Sequence, residues 1–215
     1  GHSLGEYTAL TAAGSLRLAD AVQLVRARGQ FMQEAVPNGT GAMAAVIGLD
    51  DDKIEAVCTQ VATETGLVIE AVNYNAPGQL VIAGHAEAVE ASLPVLKEAG
   101  AKRALPLPVS APFHCALMKP AAERLQEKLD AIDVKEPSVP VIQNVSIQPE
   151  SDVSLIREQL IKQTFSPVRW TQTVRSFQEL DIQVAAEFGP GAVLCSLAKR
   201  IQTDTQHFPL GTHEL

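Results

Sequence analysis

The sequence predicts a mixed α/β fold carrying a small split-βαβ unit, and three observations predict it. Residues 39–107 read strand, helix, strand, strand, helix, strand, the ferredoxin-like order, over roughly 65 residues. On either side of that stretch, apolar residues at helical spacing alternate with short apolar runs of strand type. The 215-residue chain is 46% hydrophobic and 20% charged, which suffices for a packed interior and excludes wholesale disorder.

The elements follow in order. Residues 6–13, rich in Ala and Leu, predict a helix that stops at Gly14-Ser15. A second helix over 18–35 carries two rows: Gln23, Arg26, Gln30 and Gln33 form its polar face, whereas Ala21, Leu24, Arg28 and Phe31 form its apolar one. Pro37-Asn38-Gly39 ends it. Strand 42–49 precedes an aspartate triplet expected to cap a helix with stripe Ile54, Val57, Cys58 and Val61, closed by Gly66. Strands 67–72 and 79–83 flank the turn Ala76-Pro77-Gly78. Helix 86–99 contains Pro94, which should kink it or delay its start, and strand 102–107 completes the unit. Beyond it come a helix with Pro120 in its first turn, a strand over 139–145, helices over 151–163 and 170–180, and a buried-type strand over 184–188. Gly189-Pro190-Gly191 then leads to a last helix with stripe Val193, Leu194, Leu197 and Ile201.

Charge and composition narrow the function classes. Lys+Arg 17 against Asp+Glu 25 gives a net charge of −8, a poor basis for generic nucleic-acid or membrane-surface binding. No apolar run is long enough to span a membrane, and no secretory leader is read at the start. Cys58, Cys115 and Cys195 are odd in number and lack CxxC spacing, so reduced thiols in a cytoplasmic protein are expected, with no disulfide framework and no metal site.

Three places invite chemistry. Gly1-His2-Ser3-Leu4-Gly5 matches G-x-S-x-G, a strand-to-helix elbow that holds a serine in a strained backbone and needs small neighbours at both ends. There the Leu4 N–H, at a helix start, would face a developing oxyanion; an ordinary turn is the alternative. A serine nucleophile needs a base. His2 should point away at the turn, His85 sits at a helix start, and His207 and His213 lie in a polar tail. His114 stands in the apolar loop Val109-Ser110-Ala111-Pro112-Phe113-His114-Cys115, as a structural histidine or as the base. With no Asp or Glu in the ten residues before it, an acidic triad member is not visible, and a backbone carbonyl could orient it instead. Arg28, in an apolar row, either snorkels to solvent or grips an anion.

Gly1-His2-Ser3-Leu4-Gly5-Glu6-Tyr7, Arg28-Gly29-Gln30, Asn73-Tyr74-Asn75-Ala76-Pro77-Gly78-Gln79, Ala111-Pro112-Phe113-His114 and Glu187-Phe188-Gly189-Pro190-Gly191 together resemble the malonyl-CoA:acyl-carrier-protein transacylases. The resemblance runs the length of the chain, in order. It implies an α/β-hydrolase-like large subdomain over 1–38 and 108–215, incomplete at its N-terminus, with the ferredoxin-like (βαββαβ) subdomain of 39–107 inserted. It also implies malonyl transfer from coenzyme A to the phosphopantetheine thiol of acyl carrier protein in fatty-acid biosynthesis. Ser3 would be the nucleophile and His114 the base. The main-chain carbonyl of Gln163 would orient His114, and the Leu4 N–H would hold the oxyanion. Arg28 would pair with the malonyl carboxylate. Phe113 would favour malonyl over methylmalonyl, and Asn73 and Asn75 would lie on a loop facing the cleft.

No cofactor is implied, the thioester being substrate, and the chain is expected to act as a monomer. Lys102, Arg103, Lys162, Arg169, Lys199 and Arg200 are candidates for docking an acidic carrier. The family has a segment before the elbow, with a strand into the serine and a glutamine that shares the oxyanion hole. The chain is therefore expected to be the larger C-terminal part of a longer protein. A simple esterase would share the elbow, yet predicts an acidic triad member and no buried arginine.

Overall fold

The computed structural model describes residues 1–109, 111–201 and 204–211; Ser110 and His213 lie outside these. Helix α1 (Leu4–Ala12) starts one residue after Ser3, and α2 (Leu18–Glu34) follows the glycine break. In α2 the buried row is Ala21, Leu24, Arg28 and Phe31, joined by Met32. Helical spacing sets that face, and the arginine goes inside with it.

Strands β1 (Gly41–Ile47), β2 (Ile69–Ala76), β3 (Gln79–His85) and β4 (Arg103–Pro106) form an antiparallel sheet in the order β2-β3-β1-β4. Helices α3 (Asp51–Thr65) and α4 (Ala86–Glu98) connect them, which is the ferredoxin-like arrangement. Strand alternation divides the sheet's residues between two faces. Ala44, Val46, Leu80 and Ile82 meet Ile54, Val57, Val61 and Leu96 of the helices. Met43, Val72, Val81 and Ala83 on the other face pack against Cys115, with Phe113 and Leu117 at the margin. The loop that carries His114 is thus seated on the back of this sheet.

Local expectations are corrected in places. Asp50 occupies the N-cap of α3 but makes no side-chain cap, and only its carbonyl receives the Ile54 N–H. Gly66 ends α3 in the left-handed region, with φ +69°. Helix α4 starts at Ala86 despite Pro94, so no late start occurs. Pro94 and Glu90 are both exposed, and water can serve the carbonyl that the missing N–H leaves free. Strand β2 runs on through Asn73 and Asn75, which are therefore strand residues rather than loop residues. The cause is non-local. The β2 edge pairs with the segment around Val168, whose N–H donates to Val72 O and whose carbonyl accepts from Tyr74 N–H, at 2.8 and 3.0 Å.

The larger part of the fold continues through α5 (Lys119–Asp130), which follows a 3₁₀ turn at Ala116–Met118. Strands β5 (Val141–Ile142) and β6 (Pro149–Glu150) form a short ladder, and α6 (Val153–Gln163) starts at Asp152, whose carboxylate accepts the Leu155 N–H. Only two residues of the expected 139–145 strand are extended in a ladder, because Gln143 and Asn144 turn inward as buried polar groups. Helix α7 (Trp170–Glu179), β7 (Val184–Glu187), α8 (Val193–Ile201) and β8 (Gln206–Pro209) complete the chain, β7 and β8 pairing in parallel.

β7 is not of the buried type expected: Val184 is 60% exposed, and Phe188, the residue after the strand, is 78% exposed. In α8 the buried face is Cys195, Leu197, Ala198 and Ile201, while Val193 turns outward. The registers differ because α8 packs on α7 and β2, which the local stripe does not encode. The core of the larger part joins α1, α2, α5 and α6 through Tyr7, Leu10, Leu24, Phe31, Leu125 and Leu160. Among the described residues no helix is long and apolar enough to cross a membrane. No group of three or more His, Cys, Asp or Glu among them could hold a metal ion.

Candidate active site

The elbow is strained where the motif requires it. Ser3 has φ 49° and ψ −108°, a conformation that costs a non-glycine residue about 1–3 kcal/mol and persists only when its surroundings enforce it. Those surroundings are visible. The Ser3 N–H donates to Asn144 Oδ1 at 2.7 Å, and Ser3 O accepts from Gln163 Nε2 at 3.0 Å. A Cβ on Gly1 would lie 2.1 Å from the Gly5 carbonyl carbon, so the tight turn demands glycine there. Gly5 is different: an added Cβ would meet nothing within 4 Å, so the expected steric need holds at one end only.

His114 reaches the serine from the loop lodged on the sheet. Its Nε2 lies 2.8 Å from Ser3 Oγ, and its Nδ1 lies 2.8 Å from the Gln163 main-chain oxygen. A carbonyl only accepts, so Nδ1 carries the proton and Nε2 is left to accept from the serine hydroxyl. The residue sits at φ 65°, a second left-handed backbone in the same site. Burial, and secondarily the Arg28 cation, lowers its pKa from 6.5 to about 3.

The base form of His114 should therefore survive mild acid. Labelling of Ser3 by a fluorophosphonate is expected to stay flat well below pH 6.5 and to fall only as the pH nears 3. In Arg28→Ala the acid limb should move upward, since loss of the cation favours imidazolium. An acid limb near 6.5 in the unaltered chain would refute this. The same shift erodes stability between those values as pH falls, because the unfolded chain binds the proton and the folded chain does not.

Arg28 enters from α2. It is 6% exposed, and its Nη2 donates to Ser3 Oγ and to Gln163 Oε1, both at 3.0 Å. The Tyr7 ring lies 5.5 Å from the guanidinium, Nε has no partner, and among the described residues Arg28 forms no ion pair. A buried cation with unused donors, next to a nucleophile-type serine, is set up to receive an anion.

The structure thus brings together Ser3, His114, Arg28 and Gln163. The Leu4 N–H, at the start of α1, belongs to the amides that lack an intrahelical acceptor. Phe113, half-buried, packs against both the main core and the back of the sheet. Asn75 meets the elbow indirectly, its Oδ1 2.9 Å from His2 Nε2, and the His2 ring lies against Trp170, turned away from the serine hydroxyl. Among the described residues Asn73 makes no side-chain hydrogen bond to Ser3 or His114, and its buried Oδ1 has no partner. His85 accepts the Val68 N–H, and His207 stacks on Phe177 beside a recess that Gly1 and Gly5 also line; the ring partner of Ser3 is His114.

Two residues of the site are not evident from the sequence. Glu6 is fully buried, with Oε2 accepting from Asn144 N–H at 2.8 Å and from Gln163 Nε2 at 3.0 Å. Burial pushes its carboxyl above the ordinary range, opposed by those two donors. Asn144 also donates from Nδ2 to the Gly1 carbonyl at 2.7 Å, binding both sides of the elbow. Glu6 reads locally as an ordinary first-turn acid and Asn144 as part of a strand. The only sequence signal is that each polar residue sits on an otherwise apolar face.

Fold and geometry define an α/β domain with a ferredoxin-like subdomain, an elbow serine hydrogen-bonded to a carbonyl-oriented histidine, and a buried arginine. The chain belongs to the acyl transferase domain family, whose sequence model matches residues 1–208. It is 54% identical over 201 residues to the malonyl CoA-acyl carrier protein transacylase of Salmonella typhimurium, covering 94% of this chain and 64% of that protein. The Bacillus subtilis protein of the same name is 51% identical over 201 residues, covering 94% and 63%. The chain thus spans a little under two thirds of the length of these curated relatives. Among solved structures, the malonyl CoA-acyl carrier protein transacylase of Coxiella burnetii superposes with a TM-score of 0.95 at 48% identity, over 99% of this chain and 66% of that one. A malonyl-transacylase solved in complex with its type II polyketide acyl-carrier protein matches with a TM-score of 0.94 at 48% identity, covering 99% and 68%.

Proposed function

We propose that this chain carries the catalytic groups of a malonyl-CoA:acyl-carrier-protein transacylase working through a malonyl-serine intermediate. The single observation that carries the reading is Arg28, a buried guanidinium with spare donors 3.0 Å from the hydroxyl of an elbow serine that also meets a neutral histidine. Acyl transfer from an ordinary ester has no use for a buried cation, whereas an acyl group ending in a carboxylate does. The names of the relatives support the same chemistry.

In the first half-reaction Ser3 Oγ attacks the thioester carbonyl as His114 Nε2 takes its proton. The imidazolium is stabilised through Nδ1–H on the Gln163 carbonyl, and the oxyanion is held by the Leu4 N–H. Collapse breaks the C–S bond, and the coenzyme A thiolate leaves with the proton from His114. In the second half the phosphopantetheine thiol of the carrier gives its proton to His114 and attacks the malonyl-serine ester. The C–O bond breaks, and Ser3 recovers the proton. Every group used is a side chain or main-chain atom, so the cycle calls on no cofactor. Phe113, beside His114, narrows the acyl pocket against methylmalonyl. Buried free thiols at Cys58, Cys115 and Cys195 suit a reducing, cytoplasmic setting.

The test is intact mass spectrometry after exposure to malonyl-CoA, with Ser3→Ala as control. One malonyl increment on the unaltered chain, absent from the variant and discharged by phosphopantetheinylated carrier protein, is expected. A folded chain that gains no increment would favour a non-enzymatic binding role.

Carrier docking needs a positive patch on an acidic chain. Lys102, Arg103 and Arg200 line a recess of about 470 Å³ beside the Pro77-Gly78 turn, and Lys199 shares α8 with Arg200. Lys162 is engaged by Glu158 on its own helix, which makes it a weaker candidate. Charge reversal at Lys102, Arg103 and Arg200 together is expected to raise the apparent KM for carrier protein at least tenfold at low salt, with malonyl-serine formation unchanged. An unaltered KM would remove this patch from the docking surface.

A further inference from the structure

We propose that Glu6 is a positioning residue that keeps Arg28 aimed at the acyl carboxylate, acting through the side-chain amide of Gln163. The inference rests on the transacylase reading and adds a determinant of its acyl selectivity. Glu6 lies wholly inside the fold beneath the elbow and touches neither reacting atom nor substrate space. It forms no ion pair with Arg28 among the described residues. Its influence runs through one amide. Glu6 Oε2 accepts from Gln163 Nε2 at 3.0 Å, and Gln163 Oε1 in turn accepts from Arg28 Nη2 at 3.0 Å.

The chemistry of the three groups dictates that order. A carboxylate oxygen facing an N–H accepts, and a guanidinium only donates. Between them the primary amide has one favourable orientation, NH₂ toward Glu6 and oxygen toward Arg28. The opposite orientation would put two donors together at one end and two acceptors at the other. Glu6 thus fixes the polarity of the amide, and the amide gives Arg28 a neutral acceptor that holds it in place without consuming its charge. An ion pair in that position would neutralise the cation before substrate arrives. The same Nε2 also donates to Ser3 O at 3.0 Å, and Glu6 Oε2 also accepts the Asn144 N–H, so Gln163 and Asn144, which both hold the elbow, share one acceptor.

Glu6→Gln removes this determinant with little change of shape. The new side chain can accept the Asn144 and Gln163 donors and leave its own NH₂ buried at the unpartnered Oε1 position. Alternatively it turns that NH₂ to Gln163 Oε1 and takes the acceptor from Arg28. The first arrangement weakens the acceptor that fixes the Gln163 amide, and the second withdraws the hydrogen bond from Arg28.

The experiment compares Ser3 acylation by malonyl-CoA and by acetyl-CoA in the unaltered chain, Glu6→Gln, Arg28→Ala and the double variant, with a thermal melt of each. Glu6→Gln is expected to lower the malonyl-to-acetyl ratio about tenfold, mainly through KM for malonyl-CoA. The double variant should show no loss of selectivity beyond that of Arg28→Ala. If Glu6→Gln does not fold, Gln163→Met gives the same reading, since it keeps the carbonyl on His114 and deletes only the amide. Equal slowing of both acyl donors, an unchanged ratio, or additive losses in the double variant would overturn the inference while leaving the transacylase reading intact. Failure of the unaltered folded chain to accept malonyl would overturn that reading, and this inference with it.

Discussion

His114→Ala is expected to slow malonylation of Ser3 by about 10³- to 10⁴-fold, the loss that follows removal of a positioned general base. Two contacts set that expectation. The Nε2 distance of 2.8 Å to Ser3 Oγ permits direct proton transfer, and the Nδ1 contact of 2.8 Å to the Gln163 carbonyl fixes the tautomer that accepts. Burial keeps the ring neutral, so nearly every molecule holds the base in its working form at neutral pH. Position 114 has φ 65°, which alanine tolerates less well than asparagine, so His114→Asn serves as the companion variant. Rapid-quench intact mass measurement of malonyl-serine formation would check both. A folded variant within tenfold of the unaltered chain would exclude His114 as the base.

Arg28→Ala is expected to lower the malonyl-to-acetyl preference by about 30-fold, equivalent to about 2 kcal/mol. A fully orphaned buried charge would cost more, up to about 5 kcal/mol. The lower figure follows because Arg28 keeps two neutral acceptors, Ser3 Oγ and Gln163 Oε1, when no carboxylate is present. Malonyl transfer should fall and acetyl transfer should rise, since the Ser3 hydroxyl loses a donor that competes for its lone pair. Arg28→Lys should not restore the preference, because a point charge cannot reproduce the planar fork. Competition between malonyl-CoA and acetyl-CoA for Ser3, read by mass, gives the ratio directly. An unchanged ratio would detach Arg28 from acyl recognition.

Most elements of the fold are legible in the sequence because they are local. The strand and helix periods of 41–106 suffice for a ferredoxin-like sheet, and the buried row of α2 follows from spacing alone. What escapes local reading depends on distant partners. Strand β2 extends through Asn75 because Val168 pairs with its edge. The 139–145 run breaks because Asn144 is drawn to Glu6 and Ser3, more than a hundred residues earlier. The site divides in the same way. Ser3, Arg28 and His114 stand out as a polar residue in a small-residue turn, in an apolar row and in an apolar loop. Glu6 sits in the first turn of a helix, where acids are common, and only its place on an otherwise apolar face hints at burial.

The tether on His114 is a main-chain oxygen, and that has a consequence for how such a site is inherited and surveyed. A carboxylate in the same place would announce itself as an invariant residue type and would titrate. The Gln163 carbonyl does neither, since any residue at the end of α6 supplies the same oxygen. Side-chain scanning at this position would report on the Gln163 amide and stay blind to the orienting bond. What selection must preserve there is the seat of a helix end. The tether itself is therefore entrusted to the apolar anchors of α6, the fully buried Ile156 and Leu160, whereas the identity of residue 163 serves the amide contacts to Arg28 and Glu6.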